Sequence, residues 1–235
     1  MSIKVVLFDL DGTLLPMDQN VFVKDYFSRI AAHLAPYGYD PYAIPELIWK
    51  GTAAMVMNDG KRTNEDAFWD TFSSLVGFDA RRDSEHFDAF YREKFDAVRA
   101  SCGFDPMAKE AVFRIKSLGY RVALATNPIF PSMATQSRIR WAGLSPEDFE
   151  LYTTYENSSF CKPSLDYYRA ITEQLGMSAE ECLMVGNDVG EDMVAARLGM
   201  KVFLVTPCLI NKKNGDISVY PSGDLSALLR YVESL

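Results

Sequence analysis

Asp9 and Asp11 stand one residue apart at the end of a short apolar run, residues 3–8, with Gly12 and Thr13 directly after them. A carboxylate nucleophile can split phosphoester hydrolysis into the formation and breakdown of an aspartyl phosphate. A second carboxylate two positions on can move the proton to the leaving oxygen. Three other places carry matching groups: Thr126-Asn127, Lys162-Pro163, and the run Gly186-Asn187-Asp188-Val189-Gly190-Glu191-Asp192. Each alone is an ordinary turn or helix cap. Together they supply what phosphoryl transfer needs. A lysine and a threonine hydroxyl, with backbone N–H groups such as those near Gly12, can hold the remaining phosphoryl oxygens. A phosphate dianion is repelled by a carboxylate, so a bridging cation is required. Magnesium keeps most of its waters and needs few protein carboxylates, which Asp9, Asp188 and Asp192 could supply.

These groups must be held by the elements between them. Residues 3–8 form a β-branched apolar run of the kind found in buried parallel strands, and 121–125, 182–185 and 201–205 have the same character. Between them lie helical patterns over 106–118 (stopped by Gly119), from the N-cap Ser164 to 175 (stopped by Gly176) and over 192–198 (stopped by Gly199). Alternating strands and helices predict an α/β fold around a central parallel sheet. In such sheets ligands bind beyond the carboxyl ends of the strands, which is where all four polar sets fall.

Residues 18–100 break the rhythm. Helical spacing over 20–34, 44–57, 64–76 and 84–98 predicts four helices and no strand. Phe22, Trp49, Trp69, Phe72, Phe87, Phe90 and Phe95 are expected to pack the faces of these helices together. The expected organisation is an α/β core, 1–16 with 101–235, carrying a helical insert over 17–100.

Composition narrows the partners. The 235 residues carry a net charge of −8, which excludes nucleic-acid backbones as natural partners. No apolar run approaches a membrane span, and the N-terminal residues lack a secretory pattern, so a cytoplasmic protein that does not engage membranes is expected. Cys102, Cys161, Cys182 and Cys208 have no C-x-x-C spacing and are expected to be reduced. With only two histidines, a metal is expected on carboxylates rather than on imidazoles.

The motif set resembles, in order, that of the haloacid dehalogenase-like hydrolases: the run from Phe8 to Leu14, Leu124-Ala125-Thr126-Asn127, Lys162-Pro163, and Val185 to Asp192. The resemblance implies a Rossmann-like three-layer core with a helical cap between the first and second motifs. It implies Asp9 as nucleophile and Asp11 as general acid/base with its backbone carbonyl on magnesium. Thr126 and Lys162 would bind the phosphoryl group, with a backbone N–H of Asn127. Gly186-Asn187-Asp188 departs from the usual Gly-Asp of the fourth motif, so either Asn187 or Asp188 fills the first acidic position; Asp188, with Asp192 direct or through water, is favoured as metal ligand.

The implied activity is a magnesium-dependent phosphatase acting on a small phosphorylated metabolite, as a monomer or homodimer. A sugar phosphomutase and a non-enzymatic phospho-aspartate signalling or interaction protein are the alternatives. Dehalogenation is disfavoured by Asp11, and a dinucleotide enzyme by the lack of a G-x-G-x-x-G. The cap would read the substrate through Thr52 and through Lys61 and Arg62, the only cations of a turn over 59–64 expected to face the site.

Overall fold

The first strand, β1 (Val5–Phe8), lies inside the sheet, paired on both edges. The computed structural model describes residues 2–235. The other strands are β2 (Arg121–Leu124), β3 (Cys182–Gly186), β4 (Lys201–Val205) and a two-residue β5 (Ser222–Gly223). They form one sheet in the order β2-β1-β3-β4-β5, with every pairing parallel. The chain passes from β1 to β2 on one side and later returns to β3 on the other. That reversal of direction opens a crevice at the carboxyl end of β1.

The period of two along the strands sorts their side chains onto two apolar faces. Val6, Phe8, Val122, Leu124, Leu183 and Val185 join one core cluster; Val5, Leu7, Ala123, Cys182 and Met184 join the other. The first face is covered by α5 (Pro106–Ser117), α6 (Ser132–Trp141) and α8 (Leu225–Glu233), the second by α7 (Leu165–Leu175) and a 3₁₀ segment, Met193–Leu198. This is the α/β core that the strand pattern predicts, in the three layers that the resemblance implies. Ser164 caps α7 by accepting from the Asp166 N–H, and Gly176 ends it at φ 65°. The sequence reading omits α6, α8 and β5, and the pattern over 192–198 is a tight 3₁₀ turn rather than an α-helix.

Between β1 and α5 the chain is helical: α1 (Gln19–Leu34), α2 (Ile44–Val56), α3 (Asn64–Val76), α4 (Ser84–Glu93) and a 3₁₀ stretch, Phe95–Ser101. This is the inserted helical cap. Its aromatic residues stack on one another, and Phe130 of the core packs against Phe22, Tyr26 and Phe95. Six of the seven aromatic residues expected in the cap core are buried; Trp49 is not, being 57% exposed on α2. The cap is also tied to the core by polar groups. The buried Asn64 accepts from Asn58 Nδ2 at 2.9 Å and donates to the Pro128 carbonyl at 3.1 Å, while its own N–H donates to the Ser158 carbonyl at 2.8 Å. Trp141 Nε1 donates to Asp96 Oδ1 at 2.7 Å. Among the described residues no helix is long and apolar enough to cross a membrane.

Candidate active site

Sheet register builds the site. Phe8 is level with Leu124 on one side and Val185 on the other, so the segments after all three strands leave from the same end. The Asp9 N–H donates to the Val185 carbonyl at 2.8 Å, extending the ladder by one residue and setting the direction of the side chain. Asp9 is buried. Its Oδ1 accepts from Lys162 Nζ at 2.8 Å, and its Oδ2 lies 3.1 Å from the Thr13 hydroxyl.

Lys162 also donates to Asp192 Oδ1 at 2.6 Å, and the other Asp192 oxygen accepts from the Asp188 N–H at 2.9 Å. Burial pulls the pKa of Lys162 down, but the carboxylates of Asp192 and Asp9 outweigh it and hold it well above the ordinary lysine value. Burial pushes Asp192 up to about 7, opposed by Lys162 and reinforced by Asp9. A buried ammonium thus sits behind two carboxylates rather than at the surface of the crevice.

Asp11 has a different partner. Arg138, fully buried on α6, forms an ion pair with Asp11 Oδ2, donates to Thr135 Oγ1 at 3.3 Å, and lies 4.4 Å above the Phe130 ring. Asp11 Oδ1 is buried and has no hydrogen-bond partner among the described residues. Burial raises the pKa of Asp11, Arg138 lowers it, and Asp9 raises it again, with the net direction upward. Sequence reasoning missed Arg138. A lone arginine between Ser137 and Ile139 carries no local signal that it is buried.

The remaining junctions are fastened to one another. The Thr126 carbonyl accepts from Thr153 Oγ1 at 2.6 Å and from Tyr167 OH at 2.8 Å. Asn127 accepts the Lys162 N–H at 3.2 Å and donates to Glu191 Oε2 at 3.1 Å. Gly12 has φ 89°, and a Cβ there would collide with the side-chain amide of Asn187, so only glycine fits. Asn187 accepts from Thr13 at 3.1 Å and donates to the Cys208 carbonyl at 2.7 Å. An aspartate could not make that donation. Asp188 Oδ1 accepts from the N–H groups of Gly190 and Glu191, at 2.7 and 3.0 Å. Thr13 and Asn187 are further residues to which the sequence reading gave no contact.

These groups line a cleft of about 470 Å³ between core and cap. Its core wall carries Asp9, Asp11, Thr126, Asn127, Asn187, Asp188, Glu191 and Asp192, with Lys212 from the loop after β4. Five carboxylates therefore face one surface lysine. Its cap wall is largely apolar and comes from α1 and α2, including Trp49, Thr52, Val56 and Met57. Lys61 and Arg62 are not part of it. Lys61 is paired with Asp59 at 2.7 Å and Arg62 with Asp70 at 2.6 Å, and both border a separate surface hollow. The expectation that this turn faces the site is corrected: its cations do not line the cleft and are exposed beside neighbouring acids. Thr52 does border the cleft.

Among the described residues, no group of three or more His, Cys, Asp or Glu side chains forms a metal cage on its own. The cleft's polar lining is nevertheless dominated by oxygen donors, which suit hard cations that retain water.

A candidate phosphatase of Bacillus subtilis (strain 168), YhcW, is 24% identical over 208 residues, covering 86% of this chain and 83% of its own. The fold is shared with the 2-haloacid dehalogenase of Pseudomonas syringae pv. Tomato DC3000, at TM-score 0.60 and 19% identity over 99% of this chain and 98% of that one. It is also shared with the magnesium-bound hydrolase YfnB of Bacillus subtilis, at TM-score 0.56 and 17% identity over 99% of each chain. Residues 3–199 match the family described as haloacid dehalogenase-like hydrolase, a span that takes in β1, the cap and every junction described above. The chain belongs to the haloacid dehalogenase-like hydrolases and is an enzyme.

Proposed function

We propose that this hydrolase is a magnesium-dependent phosphatase that cleaves a small phosphorylated metabolite through an aspartyl phosphate on Asp9. The observation that carries the reading is the contrast between the two aspartates of one strand end. Asp9 is clamped by Lys162 and Thr13, which fixes an attacking group. Asp11 is set by Arg138 and has a raised pKa, which favours the protonated form that a general acid needs.

In this reading the Asp9 carboxylate attacks phosphorus while Asp11 gives its proton to the departing alkoxide. Asp11 then takes a proton from water as that water attacks the phosphoaspartate, releasing phosphate and restoring Asp9. Thr126 lines the cleft beside Asp9 and holds a phosphoryl oxygen, with the Asn127 N–H, and the Lys162 charge offsets the negative charge gathered around Asp9. Carbon–halogen cleavage has no use for a second acid poised at the leaving group, so Asp11 favours phosphoryl transfer.

The residues fit a hard divalent cation: five carboxylates outnumber Lys162, Arg138 and Lys212 and repel a phosphate dianion, and among the described residues Asp11 carries a buried oxygen without a partner. Asp9, the backbone carbonyl of Asp11 and Asp188 would hold magnesium, which supplies the positive charge that lets the dianion approach. Asp192, which the resemblance counts as a ligand direct or through water, has its oxygens bonded to Lys162 and the Asp188 N–H, so it positions Lys162 and would reach the metal through water. The purified protein is expected to hydrolyse 4-nitrophenyl phosphate with magnesium and to lose that activity with a chelator. Turnover that survives in Asp9→Asn would remove Asp9 as the nucleophile.

A further inference from the structure

The cap half of the cleft has chemistry of its own. Trp49, Thr52, Ala53 and Val56 stand at i, i+3, i+4 and i+7 on α2, one face of the helix, and all four border the cleft. Trp49 and Val56 are 57% and 44% exposed, and the adjoining Met57 is 82% exposed. Large apolar side chains left open beside buried carboxylates mark a surface that a ligand covers. The polar groups on this wall are few. Thr52 Oγ1 already donates to the Ile48 carbonyl at 3.0 Å, which leaves Gln19 as the uncommitted polar side chain of the cap wall.

Behind this wall is a second cavity of about 70 Å³, which shares Val23, Trp49, Thr52, Ile129 and Phe130 with the cleft. Its deeper lining is mostly aromatic, including Phe68, Phe87 and Tyr155, and the hydroxyls of Tyr26 and Tyr91, which also line it, are bonded to each other at 2.7 Å. A sugar hydroxyl pressed against these surfaces would lose water and find few partners beyond Gln19 and the tyrosine hydroxyls, whereas a methylene would gain from leaving water.

Resting on the phosphatase reading above, we infer that the cap wall receives an apolar leaving group, so that the substrate is the monophosphate of a hydrophobic alcohol rather than a polyhydroxylated sugar phosphate. The reaction that supplies such a substrate is the phosphorylation of an apolar alcohol, or the cleavage of a diester that bears one.

The test is a series of primary alkyl phosphates from ethyl to hexyl, whose leaving alcohols are chemically matched, set beside glucose 6-phosphate. The expected kcat/KM rises about threefold per added methylene, roughly 80-fold across the series. Hexyl phosphate is expected to exceed glucose 6-phosphate by at least about tenfold. Trp49→Ala should flatten the slope. A flat series in the native enzyme, or a preference for glucose 6-phosphate, overturns the inference.

Calorimetric binding of ethyl- and hexylphosphonate to Asp9→Asn reads the same wall without turnover. Asp9-dependent hydrolysis that is indifferent to chain length, with equal binding of the two phosphonates, sinks the apolar subsite and spares the phosphatase reading. Tighter binding of hexylphosphonate by a protein that hydrolyses no ester sinks the phosphatase reading and upholds the subsite.

Discussion

The two walls of the cleft are built on opposite terms. On the core wall side chains are fastened to one another: Lys162 holds Asp9 and Asp192, Asn187 joins Thr13 to the Cys208 carbonyl, and Asn127 joins Lys162 to Glu191. On the cap wall Trp49, Val56 and Met57 are left open. A prearranged polar network needs no reorganisation when charge develops, whereas an open apolar face gains most when something covers it. The contrast assigns bond making and proton transfer to the core, and recognition of the departing group to the cap.

The sharpest way to break this division is Asp11→Asn. It should lower kcat for an alkyl phosphate by about 10³-fold, within the range of general acid–base catalysis. The loss should be smaller with 4-nitrophenyl phosphate, whose leaving group needs little help from a proton. Because Asp11 must be protonated to act as acid and its pKa is raised, native kcat should fall as pH rises through a limb lying above the ordinary carboxylate range. That limb should vanish in the variant, and equal losses with both esters would contradict the assignment.

Arg138→Met tests how Asp11 is positioned. Removing the buried cation should cost about 3 kcal/mol of stability in chemical denaturation, because a buried carboxylate loses its partner. Since Arg138 acts to lower the pKa of Asp11, the alkaline limb of kcat should move to higher pH, with kcat itself down about tenfold. A limb that moves to lower pH would show that Arg138 does not govern Asp11.

Asn187→Asp probes the core network at a smaller scale. It removes the donor to the Cys208 carbonyl and should cost about 1–2 kcal/mol in denaturation midpoint experiments. A stabilised variant would show that this position accepts an acid. The smallest effect is expected at the exposed 59–64 turn. The double variant Lys61→Ala/Arg62→Ala should leave KM and the denaturation midpoint unchanged, as exposed ion pairs contribute little. A raised KM would return that turn to the site.

Much of the core wall was legible in the sequence because its causes are local. Continuous β-branched runs encode buried parallel strands, and the polar residues just past them land at one end once the register is parallel. The α3 helix starts at Asn64 and ends at Val76 as its spacing indicates, with Thr63 capping it through the Asp66 N–H. Other features depend on contacts distant in sequence. The helix α6 was invisible because its buried positions include Thr135 and Arg138, polar residues that break the apolar period. Arg138 is buried only because Asp11, 127 positions away, meets it. Trp49 fits the helical pattern of a core residue, and nothing in its neighbours says that the face it occupies lies over a cleft. Lys61 and Arg62 were misplaced for the opposite reason: Asp59 and Asp70 pair with them away from the cleft lining.

The central claim is that Asp9 carries the phosphoryl group in transit. Rapid acid quenching during turnover, followed by peptide mass spectrometry, tests it most directly. The account predicts a phosphoryl mass increment on the peptide containing Asp9, formed with magnesium, lost with a chelator and missing in Asp9→Asn. Steady turnover with the increment on a different residue, or undiminished turnover in Asp9→Asn, would contradict it.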